Sequence, residues 1–132
     1  MSERPIASFM TQKVVVVEPD CPLMDVLSKL RAYRISCVIV CEENVPIGII
    51  SERDVVGVAY NLAAEGAESR QTAWELMSST VTTVQATDTL EDAIRLTQRE
   101  RVRHLPVVDV SRRLVGLVTQ TDLLRTLTRP NE

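Results

Sequence analysis

Gly48-Ile49-Ile50-Ser51-Glu52-Arg53-Asp54 and Gly116-Leu117-Val118-Thr119-Gln120-Thr121-Asp122 are two versions of one phrase: a glycine, two aliphatic residues, a hydroxyl residue, and an aspartate three places later. Each follows another apolar run, Cys37-Val38-Ile39-Val40-Cys41 in the first case and Leu105-Pro106-Val107-Val108 in the second. A polar turn (42–44 or 109–113) separates run from phrase. Two short apolar runs joined by a few polar residues predict a hairpin, and the hydroxyl residue predicts the start of a helix.

Working outward, a shift of 67 positions lays Met10 on Met77, Val14 on Val81, Leu23 on Leu90, Asp25 on Asp92, Arg34 on Arg101 and Val40 on Val107. One extra residue in the second turn then brings Gly48 onto Gly116 and Asp54 onto Asp122. The chain is a tandem repeat. Each copy opens with an extended run, Val14–Val17 or Val81–Val84. A helix follows, with apolar Leu23, Val26, Leu27 and Leu30 at helical spacing, matched in the second copy by Leu90, Ala93, Ile94 and Thr97. Asp88 with Glu91 is the expected cap of the second copy's helix. Near-continuous apolar strands beside amphipathic helices imply a sheet covered by helices. The fold class is α/β (α+β), two β-α-β-β-α repeats. Residues 1–62 form the first repeat, 63–72 with Gly66 the linker, and 73–132 the second. Thr72 with Glu75 should cap a short helix leading Trp74 and Met77 into the second repeat, Met10 doing the same for the first.

Composition narrows the function. The 132 residues are 45% hydrophobic and 25% charged, and a chain of this length buries roughly two-thirds of its unfolded surface. Aromatics are only 3% and the formal net charge is −3, which disfavours nucleic-acid binding by stacking or by phosphate neutralisation. No stretch approaches the roughly 20 apolar residues of a membrane helix, and Met1-Ser2-Glu3-Arg4-Pro5 opens no apolar run of signal-peptide length. Cys37 and Cys41 on one strand would lie about 13 Å apart, beyond disulfide reach. With Cys21 they are expected as reduced thiols in a cytoplasmic protein. His104 is the only histidine, a poor start for a metal site or a catalytic triad. The expectation is no catalytic residue, no metal and no required cofactor.

Arg103-His104-Leu105-Pro106-Val107-Val108-Asp109, the phrase that follows it, and the first copy's Gly48–Asp54 resemble the CBS (cystathionine beta-synthase) domain family. The resemblance covers nearly the whole chain. It implies a pseudo-twofold pair of repeats, usually dimerised into a disc, that binds adenine-containing ligands such as AMP, ADP, ATP or S-adenosylmethionine in clefts between the repeats. It also implies that each strand start lies near the opposite repeat's helix start.

Two readings of the Ser/Thr-x-x-Asp phrases stand side by side. As ligand groups, Ser51, Thr119 and Thr121 offer hydroxyls to phosphate at a positive helix end, and Asp54 and Asp122 accept from a ribose diol. As structure, each phrase is a capping box, and one residue can serve both ends. By the resemblance, Arg103 and His104 would meet phosphate, while Ile35 and Val102 would flank the adenine ring. By default Ile35 and Val102 are core and Arg101 is a solvated corner residue. The leading expectation is therefore a regulatory nucleotide-sensing module that forms a homodimer and signals to an effector domain or protein. The alternative is a dimerisation module that binds no nucleotide. The chain ends at Arg129-Pro130-Asn131-Glu132 soon after its last helix, either as a complete protein or as a piece of a larger one.

Overall fold

The computed structural model describes residues 4–65 and 71–129. It comprises two compact units, residues 15–81 (the first unit) and residues 1–14 with 82–132 (the second).

The first unit contains strand β1 (Val16–Val17), helix α1 (Leu23–Tyr33), strands β2 (Cys37–Glu42) and β3 (Val45–Ser51), helix α2 (Glu52–Glu65) and the single turn α3 (Ala73–Leu76). The second contains a 3-10 turn (Ile6–Ser8), β4 (Val84–Gln85), α4 (Leu90–Glu100), β5 (His104–Val108), β6 (Leu114–Thr119) and α5 (Gln120–Leu127). Each sheet has three strands, a parallel pair closed by a helical crossover and an antiparallel hairpin. The extended runs expected over 14–17 and 81–84 form ladders only at Val16–Val17 and Val84–Gln85. An apolar run records burial, not where a ladder bond forms.

The helices form where their apolar stripes demand. Leu23 of α1 is buried, Val26 and Leu30 are buried with Val38, Val40 and Ile50, and Leu90 and Ala93 of α4 with Leu105, Val107 and Val118. Fully burying one such aliphatic side chain contributes about 1.5–3 kcal/mol. Both helices end on a left-handed arginine, Arg34 at φ 52° and Arg101 at φ 56°. The next residue folds back in each case, the N–H of Ile35 donating to Leu30 O (3.3 Å) and that of Val102 to Thr97 O (3.2 Å). The cap of α4 corrects the expected Asp88–Glu91 pair. Thr89 is the last residue with extended dihedrals, which makes Asp92 its partner: Thr89 N–H donates to Asp92 Oδ2 at 3.0 Å and Asp92 N–H to Thr89 Oγ1 at 3.3 Å. Asp88 instead accepts the Gln85 N–H (2.8 Å) in the preceding turn.

The hairpins differ only in their tips. Glu43 (φ 50°) and Asn44 (φ 65°) make the two-residue turn from β2 to β3, a geometry that asparagine tolerates. Between β5 and β6, Asp109 Oδ1 accepts the N–H of Ser111 (2.8 Å) and of Arg113 (3.0 Å), holding Arg112 at φ 66°. Each ladder then shifts register directly after its glycine, beyond the Val40–Gly48 and Val107–Gly116 pairs.

These glycines show that packing cuts across the repeats. A Cβ on Gly48 would overlap the Met77 thioether and lie 2.8 Å from Met77 Cβ; one on Gly116 would lie 2.5 Å from Met10 Sδ. Alongside, Ser78 and Ile49 exchange backbone hydrogen bonds of 2.9 and 3.1 Å, as Thr11 and Leu117 do at 2.9 and 2.8 Å. Met77 therefore packs in the unit of the first repeat's sheet and Met10 in that of the second repeat's, so the packed units are offset from the sequence repeats. The segment before each repeat is apolar enough to seal a sheet, and it seals the other copy's. Within the expected 63–72 linker, residues 63–65 continue α2, and Gln71 O accepts the Leu23 N–H at 3.0 Å. Gly66 lies outside the described residues. The Thr72–Glu75 cap forms, Thr72 N–H donating to Glu75 Oε1 at 3.2 Å.

Candidate functional site

In each unit the antiparallel ladder brings the start of the first hairpin strand beside the end of the second. Cys37 pairs with Ser51, and His104 with Thr119. The first N–H of the following helix then donates across that join, Glu52 to Ser36 O at 2.9 Å and Gln120 to Arg103 O at 3.0 Å. Arg103 and His104 thus lie next to Thr119 and Asp122 of their own repeat. Ser36 and Cys37 are the counterparts beside Ser51 and Asp54.

The structural reading of both phrases holds. Asp54 Oδ2 accepts the Ser51 N–H at 2.8 Å and the Ser51 hydroxyl at 3.0 Å, while Ser51 Oγ accepts the Asp54 N–H at 3.3 Å. Asp122 Oδ2 accepts the Thr119 N–H at 2.9 Å, and Thr119 Oγ1 accepts the Asp122 N–H at 3.1 Å. The two carboxylates differ in depth. Asp54 is half-buried, whereas Asp122 is 8% exposed and pairs through Oδ1 with Arg125 Nη1 at 3.6 Å. Its backbone carbonyl also takes the Thr126 hydroxyl at 2.7 Å.

Around these boxes, Ser51 and Thr119 are half-buried and Thr121 is exposed on the first turn of α5. Arg103 is exposed and His104 half-buried at the head of β5. Ile35 and Val102 occupy matching positions after the left-handed arginines, each half-buried and packed on its own core cluster. Sequence reasoning missed Arg125, which reaches the aspartate from one helical turn away. The signal was present as Asp122 and Arg125 at i,i+3.

Burial disfavours thiolate chemistry at the three cysteines. Burial pushes the Cys37 thiol up to about 12 and that of Cys41 to about 11. Burial also raises Cys21, helped by the nearby Asp25. A thiolate is the nucleophile and the metal ligand, so these groups are held in the unreactive form. Among the described residues no group of three or more His, Cys, Asp and Glu side chains could hold a metal ion, and no helix is long and apolar enough to cross a membrane.

Charge separates the two units. The first carries five Lys and Arg against ten Asp and Glu, and the second ten against eight. The phrase flanked by Arg103, His104 and Arg125 therefore sits in the more positive unit.

The chain is 34% identical over 114 residues to a Methanopyrus kandleri protein, covering 85% of this chain and 57% of the relative. It thus spans little more than half of that relative's length. It is 30% identical to the CBS domain-containing protein YhcV of Bacillus subtilis, covering 89% of this chain and 81% of YhcV. Among solved structures it resembles CBSX2 of Arabidopsis thaliana in complex with AMP, with TM-score 0.81 and 26% identity over 94% of this chain and 96% of that one. It also resembles the cytosolic domain of the Mg2+ channel MgtE in complex with ATP, with TM-score 0.78 and 28% identity over 94% of this chain and 49% of that one. The CBS domain family matches residues 6–61 and 73–129, and the chain belongs to that family as a tandem pair of CBS domains.

Proposed function

We propose that this CBS pair is a regulatory module that binds an adenine-containing nucleotide (AMP, ADP, ATP or S-adenosylmethionine) and passes the change to a partner domain or protein. The observation that carries the reading is the duplicated Ser/Thr-x-x-Asp box, set in both units between a strand start and a helix start. A carboxylate offers about four acceptor sites, so capping one or two N–H groups leaves capacity for a ribose diol. In Asp54 both capping bonds fall on Oδ2, and Oδ1 is the oxygen offered to the sugar. Ser51, Thr119 and Thr121 supply hydroxyls to phosphate, Arg103 and His104 supply donors and charge, and Ile35 and Val102 flank the base. The AMP and ATP complexes of CBSX2 and MgtE support this ligand class. Regulation requires only that the ligand favour one arrangement of the module over another. The module acts in the cytoplasm, without catalysis.

It works as a homodimer. Val56 and Tyr60 on α2 and Leu124 and Leu127 on α5 are 70%, 77%, 61% and 52% exposed, an apolar display of the kind that marks an interface. A second reading, dimerisation without nucleotide, is favoured by the fact that both aspartates already have partners as caps.

Calorimetric titration with AMP, ADP, ATP and S-adenosylmethionine, run beside sedimentation velocity, separates the two. Saturable nucleotide binding supports sensing. A dimer that binds none of the four returns the boxes to a purely structural role.

A further inference from the structure

The two units share a second frame, at the opposite end of α1 and α4 from the boxes. In the first unit the N–H groups of Leu23, Ala73 and Trp74 donate to Gln71 O, Cys21 O and Pro19 O at 3.0, 2.8 and 2.9 Å. In the second, Leu90, Ile6 and Ala7 donate to Arg4 O, Asp88 O and Ala86 O at 3.0, 2.7 and 3.0 Å. Every donor and acceptor corresponds under the 67-residue shift, so the backbone is the same device used twice.

The side chains on it are not. Where the second unit carries Ala7 and Glu91, the first carries Trp74, 61% exposed, and Met24, 58% exposed. The second unit forms the same frame with alanine and glutamate, so the frame itself needs neither large apolar side chain. Carboxylates stand on both chain segments: Asp25 follows Met24, Glu75 follows Trp74, and Glu18 and Asp20 flank Pro19, whose carbonyl accepts the Trp74 N–H. Glu18, Asp20, Asp25 and Glu75 are all exposed, and the first three act electrostatically on Cys21 at the frame's centre, opposed there only by Lys29. The matching positions of the second unit are Gln85, Thr87, Asp92 and Ser8. Four of the first unit's ten acidic residues thus lie on the chain segments that carry Trp74 and Met24.

We propose that the Trp74–Met24 surface docks a basic peptide segment of a partner protein, one that presents an apolar side chain flanked by lysine or arginine. Exposed tryptophan and methionine provide an adaptable apolar contact, and the carboxylate rim selects the sign of the partner's charge. The rim disfavours an anionic membrane surface and acidic partners alike.

Trp74 is the only tryptophan of the chain, so its emission reports on this surface alone. The probe is a short amphipathic Leu/Lys peptide, with a Leu/Glu peptide as its counterpart. Expected are a blue shift of Trp74 emission with the Leu/Lys peptide and an affinity that falls as salt rises. The double variant Trp74→Ala, Met24→Glu copies the second unit's residues onto the same frame. It should lose roughly tenfold or more in affinity for a labelled Leu/Lys peptide, although it is more acidic than the parent. Glu18→Lys with Asp20→Lys should lose a comparable factor through charge alone. The proposal is overturned by equal binding of the Leu/Glu peptide, by undiminished binding to the double variant, or by no emission shift from the folded protein. A shift produced by phosphatidylserine vesicles instead would identify a membrane surface. One that grows with protein concentration alone would identify a second copy of the chain.

Discussion

In the unit of residues 15–81 the helix after the hairpin is opened by Ser51 and a half-buried Asp54, with Ser36 and Cys37 at the adjoining strand start. In the other unit the same place holds Thr119, a buried Asp122 tied to Arg125, and Arg103 with His104. Backbone, register and cap are common to both; charge and depth are not. Duplication preserved what the fold needs, a hydroxyl and a carboxylate at the helix start and a glycine beneath a methionine. It did not preserve the residues of the adjoining strand start, Ser36 and Cys37 in one copy and Arg103 and His104 in the other. Under the proposed function, phosphate should follow the arginines into the second unit.

The largest expected effect exploits Cys37, which stands where the other unit has His104. Its thiol is raised to about 12 against an ordinary 9.0, so its thiolate should be roughly a thousandfold scarcer at neutral pH. Alkylation of the native protein followed by mass mapping should modify Cys21 first and Cys37 last. Rapid labelling of Cys37 under native conditions would mean that the strand start opens easily.

Next come the glycines. Gly116→Val should destabilise by about 3 kcal/mol or more, because the new side chain meets Met10 and the Thr11 carbonyl. Gly48→Val should do the same against Met77. Adding Met10→Ala should relieve the Gly116 variant and leave the Gly48 variant unchanged, and Met77→Ala the reverse. Denaturant unfolding of the four combinations tests the crossed assignment of methionines to units.

Asp122→Ala should separate cap from ligand. Losing the cap costs about 1 kcal/mol of stability, and losing the Arg125 partner adds little at an exposed arginine. Nucleotide affinity should fall as well, each charge-assisted hydrogen bond being worth about 1.5–3 kcal/mol. Asp122→Asn keeps an acceptor and should recover most of the stability without the affinity. Lower melting temperature with unchanged affinity would leave only the cap.

Arg103→Ala should weaken ATP by about tenfold and adenosine hardly at all, with the gap closing as salt rises. Equal losses for the two ligands would show that Arg103 does not read phosphate. Two identical sites in a titration would remove the asymmetry between the units.

The smallest effect tests the helix ends. Arg101→Gly removes the cost of a side chain in the left-handed region and should stabilise by about 1 kcal/mol, seen as a higher melting temperature. Arg34→Gly should match it if the two ends are equivalent.

Much of this molecule is legible before folding. Helical and strand periods report which face is buried, and the duplicated phrase Gly-x-x-Ser/Thr-x-x-Asp marks both hairpin and helix start. Local rules were therefore enough to name α1, α4, the hairpins, and Asp54 and Asp122 as cap residues. The Asp88–Glu91 expectation failed within its own turn because two hydroxyl-acid pairings one residue apart look alike until the dihedrals select Thr89. Arg34 and Arg101 as left-handed caps were invisible for a related reason, since glycine is the usual signal and these ends do without it. What only the tertiary structure decided is non-local. It assigns Met10 and Met77 each to the other copy's unit, because both leading segments are apolar and pattern alone does not say which sheet each covers. It buries Asp122 beside Arg125 while leaving Asp54 half-exposed, and it sets Trp74 beside the start of α1 among carboxylates from a distant stretch of chain. Residue type sets what a side chain can do, whereas its neighbours in space set whether it is covered, paired or left to meet another molecule.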